Sequence, residues 1–158
     1  MKNIFALPVS IIELMIVSAT PLIEQRGAVP LAALSHFSPS EAYLWTLIGA
    51  IIPAPFILFL MPKVLEILKK VKGLGKLANW YENKALKKAE KVKDNYKYLS
   101  IFLFVAIPLP GTGVWTGSTI AALLGFDFKK SLLAVVLGAS LAGVFMLMIS
   151  YGVKFLVA

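Results

Sequence analysis

The sequence predicts an all-α membrane protein: two inverted repeats, each a re-entrant helical hairpin followed by a transmembrane helix, joined by a basic amphipathic helical connector. Three observations predict it. The 158 residues are 59% hydrophobic and 15% charged, where a soluble domain carries about a quarter charged residues. The apolar residues gather in four zones, two of them uncharged runs long enough to cross a bilayer. The second half also repeats the first at an offset of 89 positions.

Ile4 to Ile23 carries one charge, Glu13. Glu24-Gln25-Arg26-Gly27 intervenes before apolar residues resume from Ala28 to Leu34. The opening stretch has the outline of a signal peptide, but Glu13 interrupts it and no small-residue cleavage site follows, so it is read as mature protein. Ala42 to Met61 is an uncharged run of 20 residues, the length that crosses a hydrocarbon core of ~30 Å. Pro53 and Pro55 predict a kink between Ala50 and Phe56.

From Pro62 to Tyr98 the apolar residues recur mostly every three or four positions, as at Leu65, Leu68, Val71, Leu77, Trp80 and Tyr81, which is helical. Gly73 and Gly75 divide that segment, and Asn79 with Glu82 forms a capping pair for its second piece. Leu99 to Leu124 is uncharged but interrupted by Pro108-Leu109-Pro110-Gly111-Thr112-Gly113. As one helix it would run about 39 Å, and prolines with glycines oppose that. A hairpin is expected instead, its tip tolerated only where protein or trapped water satisfies the freed backbone. Ser131 to Val153 is a second uncharged span.

Eleven of the sixteen basic residues lie between Lys63 and Lys97, against four acids. Such loops favour the cytoplasm, which puts the connector there, and Lys129 and Lys130 after Leu124 return to the same side only if 99–124 is a hairpin. A lysine-rich amphipathic helix suits anionic headgroups, with Lys84, Lys87, Lys88 and Lys91 as the headgroup contacts.

At the 89-residue offset Pro21 meets Pro110, Ala32-Ala33 meet Ala121-Ala122, Phe37 meets Phe126, Leu44 meets Leu133, and Gly49-Ala50 meet Gly138-Ala139. The turn Thr20–Arg26 falls opposite Leu109–Trp115. Repeat 1 then covers about 4–62, the connector 63–98, and repeat 2 about 99–153. One span separates the hairpins, so they enter from opposite faces, a plan that recurs in secondary transporters.

Glu24 and Arg26 are the sharpest candidates, because a charge at a hairpin tip is costly unless paired or watered. Arg26 would attract an anion and Glu24 exchange protons; the plainer alternative is a solvated tip. Arg26 is the chain's one arginine, and its planar fork suits phosphate. Glu13, within an apolar run, is a second candidate acid. Pro108, Pro110, Gly111, Thr112, Gly113 and Thr116 would line the second tip, although prolines and glycines also simply make turns. Gly138, Ser140 and Gly143 are expected to bring helices close. Glu41 and Asp127 look like helix-end residues. His36 stands without partners as a ligand or base.

With no cysteine there is no disulfide, thiolate metal site or thiol nucleophile. No catalytic set or phosphate-binding loop assembles. A non-enzyme without metal or cofactor is expected, and no nucleic-acid partner.

Pro21 to Pro30 and Ala106 to Gly117 resemble the two signatures of the small multidrug export protein family, itself distantly similar to the DedA superfamily. The resemblance implies transport and, through DedA relatives, lipid-phosphate flipping or scrambling with proton coupling by acids in paired re-entrant hairpins. Glu24 and Arg26 match the charged turn of the first signature, and Pro108, Pro110, Gly111 and Gly113 match the second. DedA proteins carry arginines near the second hairpin; none follows Arg26 here. The expectation is a transporter or lipid flippase for an amphipathic, anionic or drug-like substrate, in the inner membrane, among membrane lipids and as a homodimer. The alternative is an assembly protein that oligomerises and binds anionic lipid or a cytosolic partner.

Overall fold

The computed structural model describes residues 8–70, 94–109 and 111–157. Among them there are helices and no strands: α1 (Ile11–Ala19), α2 (Glu24–Leu34), α3 (Pro39–Ile51), α4 (Pro53–Lys70), α5 (Asp94–Ala106), α6 (Val114–Leu123) and α7 (Phe128–Val157).

The helix starts follow local chemistry. Ser10 and Glu13 cap α1 reciprocally, and Ser38 and Glu41 do the same for α3 ahead of Pro39, each pair satisfying N–H groups that an α-helix leaves free. Asp127 Oδ1 accepts from Lys130 N at 3.0 Å at the start of α7. Glu41 and Asp127 are thus helix-end residues. The expected kink is a break at Ile52, after which Pro53 opens α4, the position where a missing N–H costs nothing.

Leu99–Leu124 is not one helix: α5 ends at Ala106 and α6 begins at Val114. Helices α4 and α5 enter the segment 63–98 from its two sides. The heptad-like spacing after Pro62 carries α4 on to Lys70, with Lys69 and Lys70 favourably placed at its C-terminal end, and 94–98 already belong to α5. Lys84, Lys87, Lys88, Lys91 and the Asn79–Glu82 pair lie outside the described residues, as do Pro110 and residues 1–7.

Two segments, Pro39–Ile67 and Phe128–Leu156, are long and apolar enough to cross a membrane. Packing is small inside and large outside. Twelve of the twenty-one buried apolar residues among those described are alanine, while Phe56, Phe59, Leu133, Met148 and Val153 are exposed. Water would drive the large side chains inward; lipid does not, and helices then associate through small residues.

Helix α1 packs on α3 and α5 on α7, while α2 crosses to α7 and α6 crosses to α4. Advancing the starts of α2 and α3 by 89 gives 113 and 128, beside the observed starts Val114 and Phe128. The close contacts repeat as well. A Cβ on Gly49 would lie 2.5 Å from Met15 O, and one on Gly138 would lie 2.7 Å from Phe102 O. Gly143 differs: it makes room for the Gln25 and Tyr43 side chains. Tyr151 Oη, late in α7, donates to Phe37 O at 2.9 Å in the α2–α3 turn, whereas the α6–α7 turn adjoins Phe128. The two turns sit at opposite ends of α7, about 35 Å apart at ~1.5 Å per residue.

Replacing a helical glycine by alanine gains about 1 kcal/mol of propensity, but overpacking against backbone costs about 1–3 kcal/mol. Gly49→Ala and Gly138→Ala should each lower the thermal midpoint of the detergent-purified protein. Gly152→Ala, whose Cβ meets nothing within 4 Å, should hold or raise it. Equal behaviour at all three positions would mean the helices do not approach as closely as this.

Candidate functional site

Each pair of short helices, α1–α2 and α5–α6, leaves helix ends in the middle of the molecule, and the two pairs meet there. Helix α6 begins at Gly113 with no side-chain cap of its own. Glu24 supplies one from the other half: its carboxylate accepts from Val114 N at 3.2 Å and from Trp115 N at 3.0 Å. In return Trp115 Nε1 donates at 2.9 Å to Ala19 O, the last carbonyl of α1. A carboxylate on a helix N-terminus is favoured by both N–H groups and dipole.

Glu24 is 6% exposed. Its position needs an unusual backbone, with Leu22 at φ 76° and Glu24 at φ 46°. A left-handed non-glycine residue costs roughly 1–2 kcal/mol, so the turn stores strain that the carboxylate's bonds offset. Opposite it Gly113 has φ 139°, and a Cβ there would collide with the Glu24 carboxylate. No other residue fits.

Arg26 passes beyond Glu24 to the second tip. Its Nη2 donates to Thr112 Oγ1 at 2.7 Å. Thr112 Oγ1 in turn reaches Ile107 O at 2.7 Å and Leu109 O at 2.9 Å, which holds the turn closed. Arg26 Nε is buried and finds no acceptor among the described residues. Gln25 is 4% exposed. With its amide oriented so that both atoms find complementary partners, it donates to Ala139 O at 2.8 Å and accepts from Leu47 N at 3.3 Å. Behind the contact lies a cavity of about 10 Å³ lined by Glu24, Gln25, Arg26, Gly113 and Met146, room for about one water.

Glu24, Arg26, Thr112 and Gly113 therefore come together, although Glu24 and Arg26 lie in the first turn of α2 rather than in the loop before it. Pro108 is half-buried in the second turn, Gly111 is exposed with φ 83°, and Thr116 is exposed on α6. Glu13 is elsewhere, at the far end of α1. It is exposed, and Ser10 N and Ser10 Oγ donate to it at 2.8 and 2.9 Å. Ser10, three residues earlier, gives Glu13 the role of a helix cap. His36 stacks on Phe37 at 4.5 Å between ring centroids. Among the described residues no cluster of three His, Cys, Asp or Glu could hold a metal. Sequence reasoning overlooked Gln25, masked by its charged neighbours Glu24 and Arg26, and Trp115, whose one available signal was an indole N–H inside an uncharged segment.

A family model described as "Putative small multi-drug export protein" matches residues 24–145, most of the chain, including Glu24, Arg26 and the whole second tip. No curated protein and no solved structure matches.

Gly111→Ala and Gly113→Ala both place alanine at positive φ, 83° and 139°, and Gly113, with ψ −168°, lies in a region open essentially to glycine alone, at roughly 1–3 kcal/mol. Only Gly113→Ala also displaces the carboxylate, adding about 1.5–3 kcal/mol for charge-assisted hydrogen bonds. Thermal denaturation should find Gly113→Ala clearly the less stable variant. Equal midpoints would place Glu24 somewhere other than on the α6 N-terminus.

Proposed function

The chain belongs to the small multi-drug export protein family, and from that premise we propose that it is a transporter or lipid flippase moving an amphipathic, anionic substrate through a site at its meeting hairpin tips. The observation that carries this is the buried Glu24 carboxylate of one half seated on the α6 N-terminus of the other, with Arg26 beside it.

The two short helix pairs are re-entrant hairpins of an inverted repeat in the inner membrane. Supporting this are the 89-residue offset of the helix starts, the reciprocal packing of α2 on α7 and α6 on α4, and the turns at opposite ends of α7. The connector and the α6–α7 turn face the cytoplasm, and the α2–α3 turn faces outward. With the tips in contact and room for one water between them, the structure corresponds to a closed gate. Opening separates Glu24 from Val114 and Trp115. Protonating Glu24 removes the charge that holds it to the helix N-terminus, so a proton favours opening, and the exposed N–H groups with Arg26 then present an anion site. Glu13, a cap at the far end of α1, is not part of this site. No step requires bond chemistry, metal or cofactor. The chain is small for enclosing a path, and a homodimer completes it; counting fluorophores by photobleaching in native membranes should give two.

Export of a lipophilic anion or a fluorescent anionic phospholipid from reconstituted vesicles should fall at least tenfold in Glu24→Gln and Arg26→Ala while protein levels hold. Glu13→Gln should retain it. Full transport in Glu24→Gln would remove the carboxylate from the mechanism.

The cysteine-free background permits a topology test in intact cells. Single cysteines at Asn83 and Asp127 should react only from the cytoplasm and one at Ser38 only from outside, with Thr112 reporting whether water reaches the tip. Labelling of Ser38 and Asp127 from the same side would overturn the inverted hairpins.

A further inference from the structure

Between Glu24 and Arg26 stands a residue that serves neither the α6 N-terminus nor the second turn. Gln25 is 4% exposed, and its amide lies between the two long apolar segments. It donates to Ala139 O on α7 at 2.8 Å and accepts from Leu47 N on α3 at 3.3 Å. Helix α2 packs on both of those helices. Gly143 leaves the amide its room: a Cβ there would lie 3.0 Å from the Gln25 amide and 3.0 Å from the Tyr43 ring. Tyr43 is held alongside, its Oη donating to Ser140 O at 3.2 Å.

Neither long helix needs these bonds. Leu47 and Ala139 lie inside α3 and α7, where backbone groups bond within their own helix. The amide uses a carbonyl's second lone pair and shares an N–H. A leucine would fill the space without polar atoms, whereas a buried amide is costly unless both its ends are bonded. What the amide's bonds fix is therefore α2. At the matching place in the second half, 89 residues on, stands Val114, whose side chain has no donor or acceptor and whose backbone N–H is one of the two that Glu24 caps.

We propose that Gln25 is a positioning residue: by tying the first turn of α2 to both α3 and α7, it sets the reach of the neighbouring Glu24 carboxylate to the α6 N-terminus. Adjacent Cα atoms are about 3.8 Å apart, so a shift of α2 at Gln25 passes almost whole to Glu24. The Glu24 bonds, at 3.2 and 3.0 Å, are lost if it recedes by ~1 Å. The part Gln25 plays in gating rests on the transport reading above; the geometry it controls does not.

The test replaces the amide by an acid. A protonated glutamate offers the same donor and acceptor as glutamine, and an ionised one only accepts, which sets a charge against Ala139 O. The other titratable groups at this place are Glu24 and Arg26 on α2 and Tyr43 on α3; wild type has all three, so the variant is read as a difference from it. Folded Gln25→Glu keeps a proton that the unfolded chain releases near the ordinary value of about 4.3, so its stability relative to wild type falls as pH rises. In thermal denaturation of the detergent-purified full chain, its deficit should widen by about 5 °C or more from pH 5 to pH 8.

Trp115, which bonds Glu24 and Ala19 O, reports the tip contact once the other two tryptophans are changed, Trp45→Phe and Trp80→Phe. Its quenching by acrylamide should rise at least twofold from pH 5 to pH 8 in Gln25→Glu, and should stand at least twofold above wild type at both pH values in Gln25→Leu. Phe37→Leu, a core loss at the far end of α2, should lower the midpoint equally at both pH values and leave quenching unchanged. A Gln25→Glu deficit that is constant, or that shrinks as pH rises because Arg26 takes the new carboxylate, would overturn the tie to α3 and α7. Quenching in Gln25→Glu that does not change with pH would overturn its hold on Glu24, even if Gln25→Leu fails to fold. Neither measurement uses export, so the transport reading stands or falls separately.

Discussion

The fold depends on how four helix ends are satisfied in the middle of an apolar molecule. Helices α1, α2, α5 and α6 have nine to thirteen residues each and so stop partway along the two long apolar segments. In water the free N–H and C=O groups at those ends would be solvated. Within a membrane protein they need internal partners or incur several kcal/mol each. The solution here is mutual: Glu24 of the first half closes the N-terminus of α6, and Trp115 of the second half closes the C-terminus of α1. Neither pair of helices would be complete without the other. The bonds that complete the two pairs are thus also the ones that join the halves.

The rest of the packing serves that contact. For the tips to meet, α2 and α6 must lie close against the long helices, and alanine at positions 28, 32, 33, 121 and 122 allows it. Gly49 and Gly138 let α1 and α5 settle against the backbones of α3 and α7. Hydroxyls pin the registers: Ser18 Oγ donates to Thr46 O at 2.5 Å between α1 and α3, and Tyr43 Oη donates to Ser140 O at 3.2 Å between α3 and α7. Substituting larger residues would push the short helices outward, and the first bonds lost would be those to Glu24, whose geometry tolerates the least displacement.

Much of this was legible in the sequence, and the part that was not has a physical reason. Proline and glycine at 53, 108, 111 and 113 act locally, so the breaks they cause could be placed to within a few residues. Gly49 and Gly138, matched at the 89-residue offset, both sit where size is constrained. Glu24, Arg26 and Thr112 stood out as polar groups among apolar ones. Their partners did not, since Glu24 binds backbone N–H groups, which every residue has. Trp115 read as part of a turn signature, and its indole bond to Ala19 O depends on a contact between halves that spacing cannot show. Glu13 was a candidate acid because it interrupts an apolar run; in the fold it is exposed and caps α1 with Ser10, a role that the three-residue spacing already allowed. Thr116 was grouped with Thr112, but helix formation from Val114 turns it to the exposed side.

Glu24 and Gly113 occupy the same position in the two halves, 89 residues apart, and they touch. Two identical halves could not build this contact. Glutamate at both positions would press carboxylate on carboxylate with a side chain in the way of each helix start; glycine at both would leave both helix ends uncapped. Arg26 and Trp115 form a second equivalent pair with the same division of labour, one half donating from a guanidinium and the other from an indole. Joining two halves in one chain frees each position to differ from its counterpart, and the charge that results lies on one side of the contact only. A single carboxylate and a single guanidinium, both from the first half, face a neutral tip from the second. That asymmetry leaves one carboxylate and one guanidinium against backbone N–H groups and a hydroxyl, a polar contact that neither half could form with a copy of itself.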